Sequence, residues 1–209
     1  HGQVSREMWH HMWPSLPIEQ VPIRSVTNGI HAPTWIAPEL NQLYGKYLGP
    51  EWAEKCDDTA MWQRVLDIPD QELWAVRQTM KRKLMSFIRE RARSGWMQGQ
   101  LQASQVITRG TLLDPEALTI GFARRFATYK RATLLFRDLE RLKRLLHNQW
   151  RPVQLVFAGK AHPADEPGRY FIHEVLSFCD DHKLGGHVAF LENYDMHMAK
   201  FLVQGVDIW

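Results

Sequence analysis

From Ala117 to the last residue, short continuous apolar runs alternate with amphipathic stretches, and this rhythm constrains the fold more than any other feature. The runs are Ala117–Phe122, Val153–Gly159 and His187–Leu191, and Val206–Trp209 opens a further one. Runs this short, with no polar residue at every second place, are strands covered on both faces. Between them lie stretches with apolar residues three and four apart. Ala132–His147 carries Leu134, Leu135, Leu139, Leu142, Leu145 and Leu146 on one side. Arg169–Asp181 turns Phe171, Ile172, Val175, Leu176 and Cys179 inward, and Met196–Gln204 is a shorter helix. Strands alternating with crossover helices require a parallel sheet with helices on both faces, an α/β fold of Rossmann type.

The preceding part has another rhythm. The first thirty residues hold Trp9, Trp13 and the prolines Pro14, Pro17 and Pro22 without a long period, which reads as surface loop. Pro22–Val26 is a short strand candidate, and Thr27–Ile30 reads as a turn because Asn-Gly tolerates positive φ. Ala37 to Gly95 reads as mainly helical, with Pro38 in a first turn and Gly45 and Gly49 bracketing a stop. The clearest helix begins at Asp70, read as its cap after Pro69, with Leu73, Val76, Met80, Leu84, Phe87 and Ile88 inward. Its basic run, Arg77, Lys81, Arg82, Arg89 and Arg93, reads as a solvated face, with a partner surface as the alternative. Polar linker follows Gln98. The chain thus divides into 1–27, a mainly helical 28–115, and the Rossmann-like 116–209.

A net charge of +3 gives no argument for nucleic acid, and no apolar run is long enough for a membrane helix. Cys56 and Cys179 stand far apart, outside any Cys-x-x-Cys spacing, which fits a reducing, cytoplasmic setting. Tryptophans are abundant, and each is read first as a packing residue, although rings that stack on sugars would also be aromatic. The chain's ends read as those of an internal fragment. No metal is expected: His10-His11 and the pair His182/His187 lack supporting ligands. Ser5 and Ser25 lack a Gly-x-Ser-x-Gly setting.

In an open parallel sheet, ligands bind beyond the carboxyl ends of the strands. After the first strand come Arg124, Arg125, Phe126, Ala127, Thr128, Tyr129, Lys130 and Arg131. Guanidinium forks and an ammonium, with no acid among them and a helix start expected next, suit a phosphate. After the second strand, Gly159 allows close backbone approach and Lys160 adds a cation. After the third come Glu192, Asn193, Tyr194 and Asp195, with Glu192 read as a strand-end or capping residue ahead of a general acid. No Gly-x-Gly-x-x-Gly is present, which disfavours a nicotinamide dinucleotide. A phosphorylated ligand with a neutral polar portion fits these strand ends.

The stretches HGQVSREMW, VTNGIHAPTWIAPEL, GFARRFATYKRA, VFAGKAHPAD and VAFLENYDMHMAKFLVQGVDIW occur in this order over the whole chain. In them the chain resembles the α-glucan (glycogen/maltodextrin) phosphorylases, in particular their shorter bacterial and archaeal branch. The resemblance implies a GT-B glycosyltransferase: two Rossmann-like domains with the active site between them. Residues 1–27 would end the N-terminal domain, and 116–209 would form part of the C-terminal one. It implies phosphorolysis of terminal α-1,4-glucosidic bonds, giving glucose 1-phosphate with retention. It further implies pyridoxal 5'-phosphate, whose phosphate group takes part in catalysis and whose Schiff-base lysine is expected downstream of Trp209, so that this fragment alone is expected to be inactive.

By the same resemblance, Arg125 would bind the substrate phosphate and Lys130 the cofactor phosphate. Arg124 takes the neighbouring basic place, Tyr129 lies by the glucosyl site, and Asn28 contacts a glucose hydroxyl. Trp35 and Tyr194 would wall the cofactor pocket, and Lys160 would lie near phosphate. Two places depart from other members: Ala127-Thr128 stand where His-Glu is common, and Asp195 stands where a base follows the tyrosine. Expected partners are α-1,4-glucan and orthophosphate, with a homo-oligomer as the form of the full-length protein. Two rivals stay open: a nucleotide-sugar-dependent GT-B transferase similar to glycogen synthase, and a non-catalytic phosphate- or glucan-binding regulator.

Overall fold

The computed structural model describes residues 1–180, 184 and 186–209. The chain forms two compact units, His1–Ala32 and Pro33–Trp209. In the first, the expected loop opens instead with helix α1 (Gly2–Trp9) and goes on in 3₁₀ turns at His10–Met12 and Ile18–Gln20. Local pairing supports α1: the Gln3 side chain donates to Glu7 one turn on, at 3.0 Å. Pro22–Val26 forms no strand. Pro22 has no N–H to give a ladder, Ile23 O accepts from Arg6 Nη1 at 3.3 Å, and Val26 is almost fully exposed. Thr27–Ile30 does not form the expected turn.

A single turn, α2 (Ala32–Trp35), leads to α3 (Pro38–Tyr47), α4 (Thr59–Gln63), α5 (Asp70–Met97) and α6 (Ala103–Thr108). Pro38 opens α3 as expected, where its missing N–H costs nothing. Gly45 lies inside α3, whereas Gly49 follows its end at φ +104°, a conformation natural to glycine. Asp70 is the first helical residue of α5 rather than its cap, which is Pro69; the Asp70 carboxylate still sits in the favourable first turn. The stretch expected as polar linker contains α6.

Tyr44, Trp52 and Trp62 meet edge to face, and Trp52 Nε1 donates to Asn41 Oδ1 at 3.0 Å. Trp52 is fully buried, while Trp9, Trp74, Trp96, Trp150 and Trp209 are exposed, so packing explains only part of the tryptophan content.

The basic run of α5 is not a uniform solvated face. Lys81 is 4% exposed, and its Nζ lies 2.6 Å from Asp207 Oδ2. Arg77 donates to the carbonyls of Gln204 (2.8 Å) and Val206 (2.6 Å). Arg89 reaches Leu113 O at 2.6 Å but stays exposed, so Arg82, Arg89 and Arg93 of the run fit the solvated reading. A cation on a helix turns inward when carbonyls and a carboxylate wait there.

The sheet holds β1 (Leu118–Ala123), β2 (Val153–Ala158) and β3 (Val188–Leu191) in the order β1-β2-β3, all parallel. Between them run α7 (Leu139–Leu146) and α8 (Glu166–Asp180), and α9 (Met196–Gly205) follows β3. Alternate strand residues feed two cores. Val156, Ala158, Ala189 and Leu191 pack with Leu84, Ile88, Met198 and Leu202 of α5 and α9. Leu155, Phe157, Val188 and Phe190 pack with Leu142, Leu146, Val175 and Cys179 of α7 and α8. Both faces are therefore covered, as the apolar runs require. The buried Gln154 is satisfied by Thr119 Oγ1 and by the backbone of Asp114.

The expected helix from Ala132 breaks: Leu134–Asp138 is 3₁₀, and α7 begins only where Asp138 Oδ1 accepts from Arg141 N at 3.0 Å. A capping aspartate inside an apolar-periodic run resets the helix start and leaves Leu134 and Leu135 half exposed. Helix α8 begins at Glu166, earlier than expected, and its expected last residue, Asp181, lies outside the described residues. Val206–Trp209 makes an isolated parallel bridge, Ile208 with Ile120, rather than a full strand.

Candidate functional site

The Ile208 bridge lies on the edge of β1 that β2 does not use. Gly121 N donates to Ile208 O at 2.8 Å, and Asp207 N donates to Thr119 O at 2.9 Å. The spatial order is therefore the C-terminal segment, β1, β2, β3, and the direction of winding reverses beside β1. Such a switch point opens a crevice at the carboxyl end of the strands. Arg124 and Arg125 stand there, immediately after β1, and both are exposed.

The loop that carries them is anchored from below. Phe126 is wholly buried against Phe122 and Phe190, and its N–H donates to Lys160 O at 3.0 Å. Ala127 and Ala132 are buried, while Thr128 and Tyr129 are exposed. Gly159 has φ +147°, and a Cβ there would lie 2.2 Å from Arg124 O. A Cβ on Gly168 would lie 2.4 Å from Phe126 O. Both glycines thus let β2's loop and α8 press against the basic loop. Lys130 Nζ lies 4.7 Å from the centroid of the Tyr129 ring, and Arg131 closes the turn in the left-handed region at φ +54°. The loop enters 3₁₀ turns rather than an α-helix, so the expected helix-dipole contribution is not built here.

Lys160 is exposed after β2, on the same end of the sheet. After β3, Glu192 Oε1 pairs with Arg109 Nη2 at 2.5 Å, in the strand-end role expected of it. Tyr194 packs its ring against the α5–α9 core; burial, aided by Asp195, pushes its hydroxyl above the usual tyrosine range. Asp195 caps α9 through Met198 N at 2.8 Å, which gives a physical reason for an acid at this place. Trp35 is elsewhere: its carbonyl accepts from Gln204 Nε2 at 3.0 Å, near the end of α9, whereas Tyr194 precedes the start of α9. Asn28 belongs to the first unit and is exposed.

The structure therefore brings Arg124, Arg125, Tyr129, Lys130, Lys160 and Tyr194 to the strand ends. Its donor set is cationic and forked around a glycine-made close approach, which fits a phosphate group. A groove of about 980 Å³ lies apart from the basic loop, along α5, and reaches only the end of β3 through Leu191, Glu192 and Asn193. Among the described residues, no three of His, Cys, Asp and Glu gather as metal ligands, and His182 lies outside those residues. Likewise, no helix is long and apolar enough to cross a membrane. Sequence reasoning missed Arg109, Gly168 and Asp207, whose partners are distant in the chain; Gly168 stands just ahead of the expected helix start at Arg169, with no local signal of its approach to Phe126 O.

The carbohydrate phosphorylase family model matches residues 7–209. The whole chain is 43% identical to a glycogen phosphorylase of Aquifex aeolicus, of which it spans 30%. It is 42% identical to a glycogen phosphorylase of Mycobacterium tuberculosis and 39% identical to a maltodextrin phosphorylase of Thermococcus litoralis, and spans 24% of each. The chain thus covers less than a third of these relatives' lengths. With the family model matching nearly all of its length, the chain belongs to the carbohydrate phosphorylase family and is a homologue of the glycogen and maltodextrin phosphorylases.

Proposed function

We propose that this chain is part of a GT-B α-1,4-glucan phosphorylase that transfers glucosyl units from a glucan's non-reducing end to orthophosphate, giving glucose 1-phosphate in the cytoplasm. One observation carries the reading: Arg124, Arg125 and Lys130 stand on a core-anchored loop at the carboxyl end of β1, where the sheet's winding reverses. Residues 1–27 are read as the end of the N-terminal domain and 116–209 as part of the C-terminal one.

Each residue then has a task. Arg125, a planar fork, binds the substrate phosphate through two oxygens. Lys130, a point charge held over Tyr129, takes the phosphate of pyridoxal 5'-phosphate. When bound, that group supplies a proton donor and acceptor beside the substrate phosphate. Arg124 and Lys160 lower the cost of gathering two phosphates in one crevice. Tyr129 borders the glucosyl unit, and Asn28 is assigned a glucose hydroxyl. Tyr194 walls the cofactor ring. Trp35 shares that assignment by sequence alone, because its backbone is tied to the other end of α9.

The test is phosphorolysis rate against phosphate concentration, with cofactor content, in the full-length enzyme. Arg125→Ala should lose about 2–4 kcal/mol of transition-state stabilisation, as removal of a charge-assisted contact in a dry site does, and should keep its cofactor. Lys130→Ala should lower activity at every phosphate concentration and loosen the cofactor. Unchanged phosphate dependence in Arg125→Ala with cofactor retained refutes the assignment.

A further inference from the structure

The turn between β3 and α9 is held in an unusual conformation by arginines from the helical part of the unit. Arg109 follows α6, its side chain is 13% exposed, and its Nη2 is 2.5 Å from Glu192 Oε1. Its Nε is buried with no hydrogen-bond partner among the described residues. A guanidinium cannot shed its charge, so one this deep needs its carboxylate, and Glu192 is fixed as a result. The next residue, Asn193, has φ +56°, in the left-handed region that asparagine tolerates better than most side chains. Arg91 of α5 ties this turn to the helix. Its Nη2 reaches Glu192 O at 3.3 Å and Asn193 O at 3.5 Å, and its Nη1 lies 3.8 Å from the Asp195 carboxylate. Between these pinned residues stands Tyr194.

We infer that Arg109 is a positioning residue: by holding Glu192 it fixes the Glu192–Asp195 turn, and with it the ring of Tyr194 at the carboxyl end of β3. The inference rests on the assignment of Tyr194 as a wall of the pyridoxal pocket. If Arg109 acts through that ring, its loss and the loss of the ring are one event. If Arg109 only stabilises the fold, the two losses are independent.

The experiment uses the full-length enzyme stripped of cofactor and reconstituted with pyridoxal 5'-phosphate. Dissociation constants are compared for Arg109→Gln, Tyr194→Ala and the double variant, with hydrogen exchange at the Met198 and Ala199 amides, which donate to Asp195 at the end of the turn. Each single change should weaken cofactor binding about tenfold, and the double variant no more than the worse single. Exchange at both amides should quicken in Arg109→Gln, and Arg109→Lys should restore part of the affinity. Should Arg109→Gln fail to fold, Glu192→Gln, at a half-exposed side chain, takes its place. Losses that multiply in the double variant, or unchanged affinity in Arg109→Gln where Tyr194→Ala is impaired, overturn the inference. An unimpaired Tyr194→Ala removes the wall assignment instead; amide exchange then decides, and unchanged exchange in Arg109→Gln overturns the positioning role.

Discussion

Gly159→Ala probes the junction on which the basic loop rests. The added Cβ would lie 2.2 Å from Arg124 O, with the Phe126 ring at 3.0 and 3.1 Å on another side. The Phe126 ring is wholly buried and cannot swing away, so the Arg124 peptide must move by roughly 1 Å or the glycine must change its φ of +147°. Holding alanine at that φ costs about 1–3 kcal/mol. Overpacking against a fixed ring costs about 1–3 kcal/mol more, for a total of about 2–6 kcal/mol. Relief by peptide movement would displace Arg124 and Arg125, so phosphate dependence should weaken along with stability. Denaturant unfolding and phosphorolysis against phosphate concentration measure the two effects in the full-length enzyme. Gly45→Ala is the matched control: Gly45 lies within α3 with nothing within 4 Å of its missing Cβ, so alanine should stabilise by about 0.5–1 kcal/mol. A Gly159→Ala protein within 0.5 kcal/mol of the parent, with unaltered phosphate dependence, would refute the reasoning.

Asp207→Asn leaves the buried Lys81 ammonium without its carboxylate and should cost about 3–5 kcal/mol in denaturant unfolding; a loss below about 1 kcal/mol would show that the pair does not hold the C-terminal segment. In the native protein Cys56, which is exposed, should react with a thiol reagent at neutral pH, whereas Cys179 should react only on unfolding, because burial pushes its thiol up to about 12; equal rates at both would contradict this. Burial, and then the neighbouring His147, hold His187 below its ordinary pKa, so folding keeps it neutral while the unfolded chain takes up a proton. Stability from this source is complete above pH 6.5 and declines as pH falls through and below it; His187→Gln should flatten that decline, and an identical pH profile would count against the assignment.

The sheet was legible because burial on both faces writes itself into four to seven consecutive residues, as in Leu155–Ala158 of β2. The basic loop was legible for a related reason: strand ends are where an open parallel sheet exposes side chains, and Arg124 to Lys130 follow one directly. What failed shares a cause. Lys81 looks solvated until Asp207, far along the chain, arrives beside it. Asp138 resets a helix start inside a leucine-periodic run that periodicity alone extends back to Ala132. Pro22–Val26 has strand composition but no strand to pair with among the described residues. Local pattern reports which residues want burial; it does not report which distant partner a charge will find.

That distinction matters most for α5. A long helix with basic residues along it could have been a separate surface element. Instead Arg77 takes carbonyls at the end of α9, where a cation also suits the helix dipole. Arg91 reaches the Asp195 carboxylate that caps the beginning of α9. Between these contacts the helices approach so closely that a Cβ on Gly205 would lie 2.5 Å from Leu84 Cβ. Helix α9 is therefore fixed at both ends and near its last turn by one rigid neighbour. Its start carries the turn with Tyr194, and its end delivers Asp207 to the amide of Thr119 on β1, at 2.8 Å. The two sides of the proposed site, the Tyr194 turn beyond β3 and the segment that makes β1 a switch point, are thus set by the same helix. Charge on α5 that looks solvated in the sequence is what aligns them.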